Sequence, residues 1–445
     1  MKQALFVHYF FLPVHNVAVK QLVGYARHLA ASNWQTLVLT HGWHSIDEAD
    51  RSWGLSWEPE QERTGKCTVF RVSEPPRARR DRATARVAAG PSVPAVAWRR
   101  HAAKTVAKMR RLRAMLFEPY PDEFIGWAGP AVDEGVRIAQ RQRIDVIMSY
   151  CPPVTNHVVG HRLARRLGIP WVAFFGDLYG FLQPPLPRLS IEGFLKRAWH
   201  RRCLSPAAAC VGVSPAMVDY LARTYARRTE LIHTGFDPED GDRRPTTTAP
   251  RDRLVVSHIG SVYPDDQRPE LVFDGLDRLL ARHPEVIPRL SVRFVGSKCE
   301  DRLRAMLAHR PAARVCSIEP GVDSVTAMGL VRDSDVLLAL TCSLYRDRHG
   351  TLSYPTKIFD AFGTAKPVLA VPSDGDWVDA LLSQTGVGTT ADDAEAVAAR
   401  LWDWFSCWSR DGAVPYRGRP EAIAPFTRAC QAARLAALFD AVSGG

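Results

Sequence analysis

Two kinds of pattern alternate along this chain. Short, nearly continuous apolar runs (ALFVHYF, QTLVLTHG, IDVIMSY, PWVAFFGD, AACVGVSP and ELIHTGFD) read as strands. Runs of that kind suit strands buried on both faces, as in a parallel sheet covered by helices. Between them, apolar residues recur at intervals of three and four, which predicts amphipathic helices over 17–31 and 156–167. The polar segment PEDGDRRPTTTAPRD at 238–252 reads as a linker. The alternation then restarts with LVVSHIGS, LSVRFVGS, RVCSIEP, DVLLALT and KPVLAVP, with helices predicted over 269–282 and, last, 426–442.

The predicted class is α/β: two doubly wound, Rossmann-like domains facing across a central cleft. The expected boundaries are 1–240 and 241–425, with a C-terminal helix in 426–445 placed to cross back onto the first domain. A chain of 445 residues is too long for one ordinary core, which agrees with two units.

Composition changes this picture little: 46% hydrophobic and 24% charged residues are ordinary for a globular protein. The N-terminal apolar run lacks an A-x-A cleavage site and leads straight into a helical pattern, so it reads as a buried strand. Nine scattered cysteines with no C-x-x-C pair predict neither a disulfide framework nor a zinc site, and a reduced, cytoplasmic setting is expected. Charge is informative. Residues 77–113, which include Arg99 and Arg100, hold twelve Lys or Arg against one acid, Asp81, a local excess equal to the +11 of the whole chain. That stretch is either a solvated arginine-rich face or a contact for an anionic partner, such as the inner face of a membrane. No nucleic-acid motif accompanies it, so no nucleic-acid partner is expected.

The segment GTLSYPTKIFDAFGTAKPVLAVP at 350–372 carries the most chemistry. Ser353 or Thr356 can cap a helix with Pro355 in its first turn. The free N–H groups of such a terminus suit a diphosphate. Lys357 in that turn opposes the helix dipole, which a nearby anion would explain. Asp360, one turn on, can accept hydrogen bonds from a ribose diol. The plainer reading is a surface helix with Lys357 in an ion pair.

Tyr-Pro-Thr-Lys-Ile-Phe-Asp at 354–360, followed by Lys-Pro-Val-Leu-Ala, resembles the donor-binding element of the retaining glycosyltransferases of family four. Members of that family have the two-domain GT-B fold. The resemblance implies a hexosyltransferase acting with retention on a nucleoside-diphosphate sugar, UDP- or GDP-linked, with no cofactor and no metal. Asp360 would be the second of the family's paired acids; Leu352 stands where the first is usual. HIGSVYPDDQRPELVFDGL at 258–276 resembles the family's first strand and helix of the second domain, which assigns Gly260, Ser261, Arg268, Tyr354, Lys357 and Asp360 to the donor. Asp265 and Asp266 read as solvated acids rather than metal ligands.

In the first domain, Asp177 follows the strand PWVAFF at the position of a catalytic or acceptor-orienting acid; it can equally cap the next helix. Gly176 replaces an arginine common in the family, and Thr234 replaces an asparagine in the HTGFD turn. The family's N-terminal glycine pair is missing. His15 and Asn16 are therefore the candidates to do with side chains what backbone does elsewhere, His15 as a catalytic group and Asn16 on the acceptor side with Arg99 and Arg100. Together with the basic LKRAWHRR at 195–202, this suggests a lipid-linked glycan or other anionic acceptor, polysaccharide biosynthesis, and peripheral association with a membrane. The rivals are a nucleotide-sugar 2-epimerase, a non-catalytic scaffold of the same architecture, and an enzyme glycosylating a secondary metabolite. A nicotinamide dehydrogenase is disfavoured, since no G-x-G-x-x-G follows the first strand.

Overall fold

A computed structural model describes residues 1–43, 56–57, 67–75, 122–178, 200–225, 227–239, 252–297, 299–342 and 352–444. The first unit runs β1 (Lys2–Val7), β2 (Val14–His15), α1 (Val17–Leu29), β3 (Trp34–Thr40), β4 (Ser56–Trp57), β5 (Thr68–Arg71), α2 (Ala128–Arg141), β6 (Val146–Cys151), α3 (Thr155–Leu167), β7 (Trp171–Phe175), β8 (Ala209–Gly212), α4 (Pro215–Tyr225) and β9 (Thr229–Leu231). Its sheet has the order β5-β3-β1-β6-β7-β8-β9 and is parallel throughout, while β2 and β4 form a separate antiparallel pair.

The second unit runs β10 (Leu254–Ile259), α5 (Pro269–Arg282), β11 (Leu290–Val295), α6 (Glu300–Leu307), β12 (Cys316–Glu319), α7 (Ser324–Arg332), β13 (Val336–Leu340), α8 (Lys357–Thr364), β14 (Val368–Val371), α9 (Trp377–Thr385), β15 (Gly388–Thr390) and α10 (Ala394–Asp411). Its parallel sheet has the order β12-β11-β10-β13-β14-β15. In each sheet the direction of strand addition reverses beside the first strand, between β1 and β6 and between β10 and β13. Doubly wound sheets open a crevice at such a reversal, beyond the carboxyl ends of the strands.

The second sheet separates two cores. Val336, Leu338 and Leu340 of β13 and Leu369 and Val371 of β14 face a cluster with α5 and α10. The alternate residues, Leu337, Ala339, Val368 and Ala370, face α8 and α9, and that side is continuous with the core of the first unit. Period-two side-chain alternation is the reason one strand can serve both.

The last helix, α11 (Arg428–Ser443), lies against α1 of the first unit. Phe439 meets Phe6 and Trp34 edge-on, and Lys2 pairs with Asp440. Arg428, at the start of this helix, is buried between α1 and the HTGFD turn, where its guanidinium pairs with Asp237. Two glycines make room for it. A Cβ on Gly24 would fall well inside van der Waals contact of the Arg428 side chain, and one on Gly235, at φ +70°, would press on Arg428 and on the Phe426 carbonyl. Burial would push the Asp237 carboxyl up, but the hydrogen bond from His28 (2.9 Å) and the charge of Arg428 hold it well below the usual range. The HTGFD turn is thus the socket of the C-terminal helix.

Candidate functional site

At the reversal of the second sheet, His258 on β10 and Lys357 at the start of α8 meet over a glycine. The Lys357 ammonium donates to Nε2 of His258 at 2.9 Å. The other ring nitrogen, Nδ1, is 3.1 Å from the Leu338 carbonyl of β13, so it carries the hydrogen and Nε2 accepts. Burial, with the Lys357 charge beside it, pushes His258 far below the usual histidine range and keeps it neutral. Lys357 is itself pushed down to about 7, because burial disfavours its charge more than Asp360 supports it. Its ammonium lies over the backbone of Gly260, where a Cβ would stand 3.6 Å from it.

Gly260 has φ +120°, and two further glycines converge on it. Gly296 (φ +83°) follows β11 and Gly321 follows β12; a Cβ on Gly296 would meet the Cα atoms of Gly321 and Gly260 at 3.6 and 3.8 Å. Three strand ends therefore present bare backbone at one place, next to a helix N-terminus and a lysine. That combination suits a polyanion such as a diphosphate.

Helix α8 begins at Lys357, so of the two cap positions expected from sequence the structure uses Thr356, and Pro355 precedes the first turn. Thr356 holds the N-cap position with no side-chain hydrogen bond, and the turn is closed by Ile358 N to Pro355 O (3.2 Å) and Phe359 N to Thr356 O (3.0 Å). Asp360, in the first turn, is engaged from the other unit: Lys20 of α1 reaches its Oδ1 at 2.9 Å, and both side chains are about a quarter exposed.

The other residues singled out from sequence are placed as follows. Ser261 lies in the loop after β10, with its carbonyl 3.4 Å from His258 Nε2. Arg268 precedes α5 and pairs with Glu270 at 3.1 Å, on an exposed face. Asp265 pairs with Arg302 at 2.7 Å. Tyr354 is buried with its hydroxyl donating to the Val213 carbonyl (2.9 Å), so it braces the two units rather than opening onto the glycines. Beside it, Ser214 donates to the Leu352 carbonyl (3.2 Å), and Leu352 is core. Asn16 is spent on α1, where its side chain accepts from Val19 N (2.9 Å) as an N-cap. His15 lies in β2, its side chain outside the described residues, as are Arg99, Arg100, the rest of the 77–113 stretch and residues 195–199.

Asp177 follows β7 and is partly exposed. It acts across the interface: burial first, then Asp266, and more weakly Asp177, raise the Cys342 thiol at the end of β13. Gly176 before it has a packing cause. A Cβ there would collide with the Tyr150 hydroxyl, which donates to Gln21 (2.8 Å), and Gln21 in turn donates to Tyr25 (2.6 Å).

Sequence reasoning missed His258, Lys20, Gly296 and Gly321. The glycines had a signal, since Gly296 closes a predicted strand as Gly260 does and Gly321 directly follows another.

Residues 18–235 match the model of the glycosyl transferase 4-like domain. The chain has the two-domain GT-B fold, and its first half resembles a glycosyl transferase 4-like domain. Solved structures resemble this GT-B protein over its whole length. Sucrose-phosphate synthase from Thermosynechococcus elongatus is 15% identical with a TM-score of 0.64, covering all of both chains. Anabaena HepE, solved with UDP-glucose, is 14% identical with a TM-score of 0.55, over all of this chain and 98% of that one. An alpha,alpha-trehalose-phosphate synthase (UDP-forming) from Burkholderia xenovorans, in complex with glucose-6-phosphate, is 11% identical with a TM-score of 0.59, over 99% of this chain and all of that one. At these identities the likeness establishes the fold. No curated protein matches the chain in sequence.

Proposed function

We propose that this GT-B protein is a glycosyltransferase. It moves a hexosyl group from a UDP- or GDP-linked sugar to a hydroxyl of a lipid-linked or otherwise anionic glycan precursor, with retention of anomeric configuration and without a metal. The observation that carries the reading is the Lys357 ammonium lying over Gly260, beside Gly296 and Gly321, at the N-terminus of α8. In the reaction the bond from the anomeric carbon to the diphosphate oxygen breaks, and the diphosphate leaves with the electron pair. The acceptor oxygen bonds to the same carbon on the same face, and its proton passes to the departing oxygen. Stabilising the diphosphate is the main electrostatic demand. Lys357 and the positive end of the α8 dipole meet that demand, Asp360 holds the ribose, and Asp177 orients the acceptor from the first unit.

The relatives solved with UDP-glucose or named UDP-forming support a uridine donor. The basic stretch 77–113 supports an anionic acceptor at the inner face of a membrane. No helix among the described residues is long and apolar enough to cross one, so contact would be peripheral.

The test is thermal unfolding against UDP, GDP, ADP, dTDP and CMP, with Lys357→Ala as control. A ligand at a hundred times its dissociation constant stabilises by about 2.7 kcal/mol. One diphosphate that shifts the wild type and not the variant is the expected result; no shift with any nucleotide refutes the donor site.

A further inference from the structure

The ion pair between Lys20 and Asp360 joins residues 340 positions apart, one from each unit. Simple bridging does not account for it, because the units are already tied nearby by Tyr354 to Val213 and by Ser214 to Leu352. What singles out Lys20 is the company it keeps. Its ammonium sits 2.9 Å from Asp360 and 3.9 Å from the Met328 sulfur of α7. The same Asp360 charge also supports Lys357. Lys20 is thus the direct ion-pair partner of Asp360, whose charge reaches Lys357 only at a distance, at a helix N-terminus and beside bare glycine backbone. Lysines from both units stand at the first turn of one helix, where a bound polyanion would draw both.

Asn16, the nearby polar residue of the N-terminal loop, already caps α1, and Lys20 stands one turn further into that helix, its N–H donating to the Asn16 carbonyl (2.9 Å). We infer that Lys20 is a donor-site residue lent by the first unit: it holds Asp360 while the site is empty and turns its ammonium to the diphosphate when a nucleotide enters. The inference rests on the donor reading above. It makes nucleotide affinity depend on how the first unit is seated, since that unit contributes one of the charges. A flexible four-carbon stem and three rotatable donors suit a group that must serve two partners.

The experiment is calorimetric titration of the full chain with UDP and with uridine (or GDP and guanosine, if GDP is the binder), comparing wild type, Lys20→Met and Lys20→Arg. The expected result is about tenfold weaker diphosphate binding by Lys20→Met, as for one lost charge-assisted contact, unchanged nucleoside binding, and near-full recovery in Lys20→Arg. Unchanged or tighter UDP binding by Lys20→Met overturns the inference and leaves the donor site standing, as does an equal loss for UDP and uridine, which a merely structural strut would give. A wild type that binds no nucleotide removes the donor site and this inference together.

Discussion

The Lys357 ammonium and His258 Nε2 lie 2.9 Å apart, a cation leaning on a neutral imidazole rather than on a carboxylate. Burial brings Lys357 down to about 7, so it gives up its proton as pH rises through the neutral range in the empty site. A diphosphate binds the ammonium form and raises its pKa. Binding therefore takes up a proton above pH 7, and affinity falls as pH rises from there, by up to about tenfold per pH unit. The check is the dissociation constant from pH 6 to 9, read as the difference between wild type and Lys357→Ala. That difference removes the titration of the nucleotide itself, and a flat difference defeats the prediction.

Acid should unfold this protein early. Burial holds His8 and His233 near 4 and His157 near 3, with His258 well below the ordinary value. All four have folded pKa values below the unfolded value of about 6.5, so the unfolded chain binds more protons as pH falls through that window. Their contribution is intact above about pH 6.5. It is lost on acidification, each group at up to about 1.4 kcal/mol per pH unit until its own folded value is passed. Unfolding midpoints measured between pH 7 and 4 should drop steeply, and His157→Gln should drop less steeply than wild type.

Gly176→Ala should destabilise the fold by about 1–3 kcal/mol, the usual range for forcing a methyl group into a packed site. Its Cβ would displace the Tyr150 hydroxyl and leave the buried Gln21 Oε1 without the hydrogen bond it accepts from that hydroxyl. Denaturant unfolding measures the loss. A cost near zero would mean that the tyrosine moves aside freely and that packing is not why glycine stands here.

The central strands of both sheets could be read from the chain because they are continuous apolar runs, a pattern set locally by burial on two faces. The edge strands β5 (TVFR) and β15 (GTT) are partly exposed, lack that pattern and were not predicted. The order of elements and the α5 helix, for example, agree with the sequence reading. Contacts that depend on the tertiary fold could not be read that way. Nothing near Lys20 announces Asp360, and nothing near Gly176 announces Tyr150, because in each case the partner arrives on a different strand or domain. Asn16 and Tyr354 show the converse. Their side chains look available in sequence, yet local capping and burial between units use them. The placement of Lys357 and Asp360 on one turn of α8 was legible within one short segment; their partners were not.

Arg428→Ala should cost about 3–5 kcal/mol, since it leaves Asp237 buried with part of its compensation gone. His28 and Arg27 remain within 2.9 and 3.8 Å, so the lower end is expected. The loss should be local first, because Arg428 anchors α11 to α1 and to the HTGFD turn. Hydrogen exchange would show α11 losing protection ahead of β10 and β13. Uniform loss across the chain would contradict an anchor and point to one cooperative unit.

Asp177 offers the sharpest separation between binding and chemistry. It closes β7 in the first unit, while Gly260, Lys357 and Asp360 belong to the second, and its charge reaches Cys342 across the interface together with that of Asp266. An acid so placed can orient an acceptor hydroxyl without touching the nucleotide. Asp177→Asn keeps the shape and removes the charge. Donor binding should therefore stay within about twofold of wild type, while turnover falls by about a hundredfold or more, the usual size of a lost proton-handling or orienting group. Helix capping gives the opposite pattern, because asparagine caps about as well as aspartate and would leave both quantities unchanged. Measuring donor affinity by titration and turnover by release of the nucleoside diphosphate decides between the two. Loss of both together would place Asp177 in the donor site itself.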